Sequence, residues 1–326
     1  MKAAWYSKNG DAASVLQVGE IPTPQAGPGE VRVKLLVSGV NPSDVKSRAG
    51  SRPVVSGFVI PHSDGAGIID QVGSGVDPKR IGERVWLWNG QWQRTMGTAA
   101  QYIALPSQQA VHMPTNTTFE AGACLGIPAL TAARAVELAG DLKGKTVLVT
   151  AAASAVGFYA AQMARLRGAR VIGTIGSDEK AAFLKAAGFQ EIIFYKKEPV
   201  AERISALTQG AGVDVIIDMD FSSSAALVPQ GAVAHHGAIV CYGSNFRGDV
   251  PIAFGAWLPR SLSLHFFLVY DLLEPDRRQA LDSVQSLLEL GVLQHQIGQT
   301  FQLDDIAAAH QAVEAGKVLG NVVVSL

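Results

Sequence analysis

The sequence predicts an α/β protein of two domains, one mostly β and one built on a doubly wound parallel sheet, and three observations predict it. Before Pro106, short β-branched runs alternate with Gly, Pro, Asn and Asp turns. From Phe119 onward, Ala-rich helical stretches alternate with apolar strands. Between Lys145 and Thr174, one unit reads as strand, tight turn, helix and second strand. A chain of 326 residues, 48% hydrophobic and 17% charged, is long enough for two well-buried cores.

Taken in order, residues 30–37, 66–72, 84–88 and 100–105 read as strands of the first domain. A helix is expected over 121–139, then strands beginning at Thr146, Val171, Glu191, Val213 and Ala238, with the helix 155–167 stopped by Gly168. An amphipathic helix 276–290, a strand 299–302, a helix 303–315 and a strand 321–324 close the chain. Periodicity alone leaves open whether this tail extends the parallel sheet or returns to the first domain.

Composition narrows the function. The formal charge is −1 and Lys and Arg are scattered, so neither nucleic acid nor an anionic membrane is expected as a partner. The first residues carry no apolar run, and the apolar stretch 262–269 is interrupted by His265 and too short to cross a bilayer. Cys124 and Cys241 stand far apart without a C-x-x-C pair. A cytosolic protein with buried thiols and small ligands is the expectation.

The turn at 151–154 carries the first chemical signal. A strand followed by such a turn and a helix aims free N–H groups at a pyrophosphate, where the helix dipole also favours negative charge. The G-x-G-x-x-G pattern expected of a dinucleotide site is filled by Ala152, Ala153, Ser154, Ala155, Val156 and Gly157, so only the last glycine remains. The small residues preserve room for close backbone approach, and Ser154 offers a hydroxyl.

Further motifs are GVNPSD at 39–44, PHSDGAGIIDQVGSGV at 61–76, GERVW at 82–86, GTAAQYIALP at 97–106, GIPALTAARA at 126–135 and GVDVIIDM at 212–219. In this order and spacing the chain resembles the zinc-independent quinone oxidoreductases, the zeta-crystallin-like proteins of the medium-chain dehydrogenase/reductase superfamily. The resemblance implies a GroES-like catalytic domain from both ends of the chain, residues 1–122 and 262–326, around a Rossmann domain at 123–261. It also implies a homodimer formed by pairing sheet edges, with 238–242 and 251–254 as candidate edges.

In the zinc-dependent relatives the Asn41 position is a cysteine ligand, a second cysteine falls near Ile127, and the His62 position supplies an imidazole. Only His62 remains, Cys124 is offset by about a turn, and the four-cysteine lobe is missing, so no metal is expected. Without a Lewis acid, alcohol oxidation is disfavoured and electron-poor acceptors remain. The resemblance makes Asn41 a hydrogen-bond donor to the acceptor's oxygen, gives Asp44 an ordering role, and places Lys46 where a tyrosine is common. Lys46 reads most simply as a surface lysine, and His62 as a packing or hydrogen-bonding residue. Trp88 and Trp92 are candidates to restore aromatic lining.

For the cofactor, the acidic position of an NAD site is taken by Gly176, followed by Ser177 and Lys180, which favours NADPH. Asp178 and Glu179 argue the other way unless they point outward. Tyr195 matches a family tyrosine near the same phosphate. The resemblance adds Thr131, Tyr242, Gly243, Ser244, Phe267, Leu268 and Val269 around the nicotinamide, and Lys317 and Asn321 reaching back from the C-terminal segment.

The expected function is metal-free hydride transfer from NADPH to a quinone, in an interdomain pocket around Asn41, Lys46, His62 and Thr131. Two rivals are carried: an alkenal or enone reductase using the same hydride chemistry, and a non-catalytic NADPH-binding protein with a structural or RNA-binding role.

Overall fold

The structure, a computed structural model, describes residues 1–55 and 57–326. It forms two compact units, Met1–Pro128 with Gln285–Leu326, and Ala129–Val284. In chain order the first unit begins with β1 (Lys2–Trp5), β2 (Gln17–Glu20), β3 (Glu30–Val40), β4 (Asp64–Val72), β5 (Arg84–Leu87), β6 (Tyr102–Pro106) and β7 (Ala110–His112). The second unit holds β8 (Thr146–Val149), β9 (Arg170–Ile175), β10 (Glu191–Phe194), β11 (Val213–Asp218), β12 (Val233–Cys241) and β13 (Ser263–Phe266). The chain then returns to the first unit with β14 (Ile297–Gln302) and β15 (Asn321–Ser325).

The first unit is built on a mixed seven-stranded sheet ordered β14-β15-β3-β4-β5-β7, with β6 also paired to β3. Alternation in β3 explains its core: Val31, Val33 and Leu35 turn inward onto Ile69, Val85, Leu87, Ile103 and Leu105. β15 pairs antiparallel with β3, placing Val323 opposite Gly39, so both ends of the chain build this sheet. That pairing answers the question periodicity left open about the tail.

The second unit is a six-stranded sheet ordered β10-β9-β8-β11-β12-β13 with every pair parallel. Its central strands, covered on both faces, are continuous apolar runs; Val147, Leu148 and Val149 are all fully buried. Strand order reverses between β8 and β11, the switch point at whose carboxyl edge open α/β sheets bind ligands.

Three sequence expectations change. The helix expected over 121–139 is divided: a short helix Phe119–Gly122, a π-helical turn Leu125–Ala129 containing Pro128, and a helix Leu130–Leu138. Pro128 is the physical reason, because its ring and missing N–H cannot continue a regular helix. Residues 262–284, assigned by the resemblance to the first domain, lie in the second unit, since β13 extends the parallel sheet beside β12. For the same reason 238–242 is not a sheet edge. β12 is flanked by β11 and β13, and the free edge belongs to β13.

Candidate active site

In the first unit, Asn41 follows β3 in an extended conformation, φ −107° and ψ 155°, and caps a short helix, Pro42–Lys46. Its backbone N–H donates to Asp44 Oδ2 at 2.8 Å, and its side-chain Nδ2 donates to Asp64 Oδ2 at 2.9 Å. The Ile127 N–H donates to the same Asp64 oxygen at 3.0 Å. Asp64 Oδ1 is buried and has no hydrogen-bond partner among the described residues. It occupies space that Gly126 leaves open, where a Cβ would lie 2.4 Å from that oxygen.

Burial pushes the Asp44 carboxyl up to about 7, against the opposing hydrogen bond from the Asn41 backbone. Burial, then the neighbouring Asp44 charge, pushes Asp64 well above the ordinary carboxylate range. The corner therefore favours a neutral acid beside the Asn41 amide. Asp64 was not among the expected site residues. Its signal in the sequence was an acid opening the otherwise apolar run DGAGII, in a strand that packs on the core.

His62 belongs to a different group of side chains. Its Nδ1 lies 2.8 Å from Ser38 Oγ, Ser38 Oγ lies 2.8 Å from Thr98 Oγ1, and Thr98 donates its hydroxyl proton to the Asp64 carbonyl at 2.5 Å. On the other side, His62 Nε2 meets His310 Nε2 at 2.9 Å. Counting protons assigns the tautomers. Thr98 spends its proton on Asp64, so Ser38 donates to Thr98, His62 Nδ1–H donates to Ser38, and His310 Nε2–H donates to His62 Nε2. His310 Nδ1 is left as a bare acceptor, and it has no partner among the described residues.

Both imidazoles are neutral in this arrangement. Burial drives His62 well below its ordinary value and His310 down to about 3. His62 is fully enclosed and its φ is 75°, so its ring nitrogens serve Ser38 and His310 and neither is left for a substrate. His62, read from the sequence both as a pocket residue and as a packing or hydrogen-bonding one, here spends both ring nitrogens inside its own unit. Lys46 is exposed in the last turn of its short helix. Cys124 donates its thiol to the Glu120 carbonyl at 3.2 Å, and no trio of His, Cys, Asp or Glu among the described residues is arranged to hold a metal.

In the second unit, the turn after β8 is shaped by Thr174: Ala151 N–H donates to its hydroxyl and Ala152 N–H to its carbonyl, both at 3.0 Å. Ala151 takes a φ of 51°. Ser154 caps the helix Ala155–Leu166, its Oγ accepting from Gly157 N–H at 3.2 Å. Ala155 and Val156 occupy the first turn, where N–H groups have no acceptor within the helix. Gly157 survives for a steric reason: a Cβ there would lie 2.3 Å from the Ala151 carbonyl oxygen. What the turn offers is backbone donors and the room left by absent side chains, which suits an anion.

The other expected contacts of this unit line the same carboxyl edge. After β9 come Gly176, against whose α-carbon the Tyr195 ring packs, and Ser177, whose Oγ caps the helix Asp178–Ala186 by accepting from Lys180 N–H at 3.4 Å. Beyond β12, Tyr242, Gly243 and Ser244 line a cavity of about 330 Å³ with Phe221, Phe266 and Phe267. The Tyr242 hydroxyl there is buried without a partner among the described residues, and burial raises its pKa. Past β13, Phe267 N–H donates to the Cys241 carbonyl at 3.3 Å, Leu268 is half-exposed and Val269 buried. Thr131 is buried in the helix Leu130–Leu138, with its hydroxyl unpartnered among the described residues. Lys317 and Asn321 belong to the first unit, where Lys317 is exposed and Asn321 commits its amide to the Gln296 carbonyl at 3.0 Å.

A GroES-like sheet unit joined to a doubly wound parallel-sheet unit defines the class, and comparisons with known proteins agree. Residues 27–115 match the alcohol dehydrogenase GroES-like domain, and residues 155–286 match the zinc-binding dehydrogenase domain. A quinone oxidoreductase of Pseudomonas aeruginosa is 32% identical over 317 residues, 95% of each chain. A 2-haloacrylate reductase from a Burkholderia species is 27% identical over 341 residues, covering 99% of this chain and 98% of its own. Among solved structures, an NAD-dependent alcohol dehydrogenase superposes with a TM-score of 0.89 at 30% identity, and a mycobacterial protein complexed with NADPH with 0.87 at 26%; both are matched over 100% of each chain. The chain belongs to the quinone oxidoreductase family of the medium-chain dehydrogenase/reductase superfamily.

Proposed function

We propose that this protein is an NADPH:quinone oxidoreductase that works without a metal. The turn of Ser154, Ala155, Val156 and Gly157 carries this reading. It presents the free N–H groups of Ala155 and Val156 at a helix N-terminus on the switch-point edge of a parallel sheet, in a chain 32% identical to a named quinone oxidoreductase. Ser154, Ala155 and Val156 would hold the pyrophosphate, Ser177, Lys180 and Tyr195 the adenosine 2′-phosphate, and Tyr242 to Ser244 with Phe267 to Val269 the nicotinamide end. When bound, NADPH supplies the hydride, which with one proton from solvent reduces a quinone carbonyl pair toward the hydroquinone.

The chain's own residues bind, orient and exclude water. Thr131 and Tyr242 carry buried hydroxyls without a partner among the described residues, and Tyr242 follows the carboxyl end of β12. Asn41 keeps one amide hydrogen beyond that given to Asp64. The positions of Asn41, Ile127 and His62 do not supply three metal donors, which favours an acceptor whose charge delocalises over a conjugated system. A homodimer is part of the proposal, its support being the free edge of β13 and the exposed Phe266 on that strand.

The similarity to a 2-haloacrylate reductase favours one second reading, reduction of an activated carbon–carbon double bond. The separating experiment follows NADPH absorbance with purified protein and 9,10-phenanthrenequinone, an α,β-unsaturated aldehyde or a simple ketone. Oxidation with the quinone alone is expected. Oxidation with the enal alone moves the assignment to the double-bond reductase, and NADPH binding without turnover on any acceptor removes the enzymatic reading.

A further inference from the structure

We infer that Lys197 sets the preference for NADPH over NADH by pairing with the Asp178 carboxylate and offsetting its charge at the rim of the 2′ subsite, an inference that rests on the NADPH reading above. β9 and β10 end side by side, with Phe194 opposite Ile175, and the Tyr195 N–H donates to the Ile175 carbonyl at 3.2 Å. This brings Gly176 under the Tyr195 ring, where a Cβ would lie 2.9 Å from the phenolic oxygen. The floor of the subsite is thus flat and uncharged, made of Gly176, the Ser177 hydroxyl and the tyrosine.

Its rim carries the difficulty. Asp178 and Glu179 are the first two residues of the helix that begins there. Carboxylates suit a helix N-terminus. They also accept from a ribose 2′-hydroxyl and repel a 2′-phosphate, as the acid that ends the second strand of an NAD site does two residues earlier, at the place of Gly176. The Asp178 charge is offset there. Lys197 Nζ lies 2.8 Å from both of its oxygens.

An exposed ion pair ordinarily adds little to stability, and nothing here requires it to. Selectivity needs only that the charge of one carboxylate be offset. Lys197 is itself constrained twice, by its N–H donating to the Phe194 carbonyl at 2.8 Å and by its ammonium standing 4.8 Å from the Phe194 ring centroid. Lys196, on the same turn, stands 5.8 Å from the Tyr195 ring centroid, so the turn after β10 supplies two positive charges to the rim. Glu179 is exposed and is the remaining acid on the rim.

The test measures Kd for NADPH and NADH by nucleotide fluorescence in wild type, Lys197→Gln, Asp178→Asn and the double variant. Circular dichroism verifies that each is folded. Lys197→Gln is expected to reduce the NADPH-over-NADH preference about tenfold, and adding Asp178→Asn to restore it to within about twofold of wild type. An unchanged ratio in Lys197→Gln overturns the inference. So does a double variant no better than Lys197→Gln, because the ammonium would then act on the phosphate directly. The wild-type arm reports separately on the reading beneath it: a protein that binds neither nucleotide, or prefers NADH, overturns the NADPH assignment and this inference together.

Discussion

The turn after β8 and the corner at Asn41 bring polar groups into their units in opposite ways. The turn leaves the N–H groups of Ala155 and Val156 without an acceptor in the helix, and it depends on side chains being absent: a single Cβ at Gly157 would meet Ala151. The corner uses side chains that mostly spend themselves on one another, from His310 through His62, Ser38 and Thr98 to Asp64 and Asn41. An open backbone site asks only for small side chains, and Ala152 and Ser154 stand where two of its glycines are expected. A closed side-chain network asks for particular partners, because each buried group is satisfied only by its neighbour.

The largest expected effect breaks the corner electrostatically. Asp44 sits at about 7 in the folded protein, whereas an unfolded aspartate titrates near about 3.9. As pH rises the unfolded chain ionises first, so wild type loses stability from about pH 4 to about pH 7, by up to about 4 kcal/mol. Asp44→Asn cannot ionise and is expected to gain on wild type across that window. Urea unfolding at pH 4, 6 and 8 measures it, and parallel curves for the two proteins would show that Asp44 does not titrate upward.

Next comes the turn itself. Gly157→Ala forces a Cβ to 2.3 Å from a carbonyl oxygen, with an expected loss of about 2 kcal/mol in stability and at least about tenfold in NADPH affinity. Unchanged NADPH binding would separate the turn from the cofactor.

His310→Phe sharpens the comparison from the other side. It strips His62 Nε2 of its donor, leaving a buried acceptor unpaired at a cost of about 1–3 kcal/mol. The wild-type His310 stays neutral down to about 3, while its unfolded counterpart takes a proton below about 6.5. Wild type therefore loses His310's contribution as pH falls below about 6.5. The variant's deficit is expected to be widest at pH 8 and to narrow at pH 5, opposite in slope to Asp44→Asn.

The smallest effect is at the rim of the second unit. Tyr195→Ala is expected to weaken NADPH several-fold while shifting stability by less than about 0.5 kcal/mol, since the ring is half-exposed. Calorimetric titration with NADPH and NADH checks whether the loss is confined to NADPH.

How much of this was legible in the sequence follows the same division. The βαβ unit of Lys145 to Thr174, the surviving Gly157 and the loss of an acid at Gly176 are local patterns, and local structure obeys them. β13 was missed as part of the parallel sheet because a short strand, SLHF, followed by an irregular turn carries little periodic signal. The partners of Asn41 and His62 were not legible. Asp64 lies 23 residues from Asn41, and His310 lies 248 residues from His62. Only the pairing of β3 with β4, and the placing of β15 beside β3, bring such residues together.

The most direct test of the central claim is an isotope experiment on hydride transfer. NADPH deuterated at the transferred C4 position is mixed with protein and 9,10-phenanthrenequinone in stopped flow, with the protein-free rate subtracted. A protein-dependent oxidation that slows about two-fold or more on deuteration, and that Gly157→Ala abolishes through loss of NADPH binding, is the expected result. A protein-dependent rate of zero with saturating NADPH and quinone would contradict it.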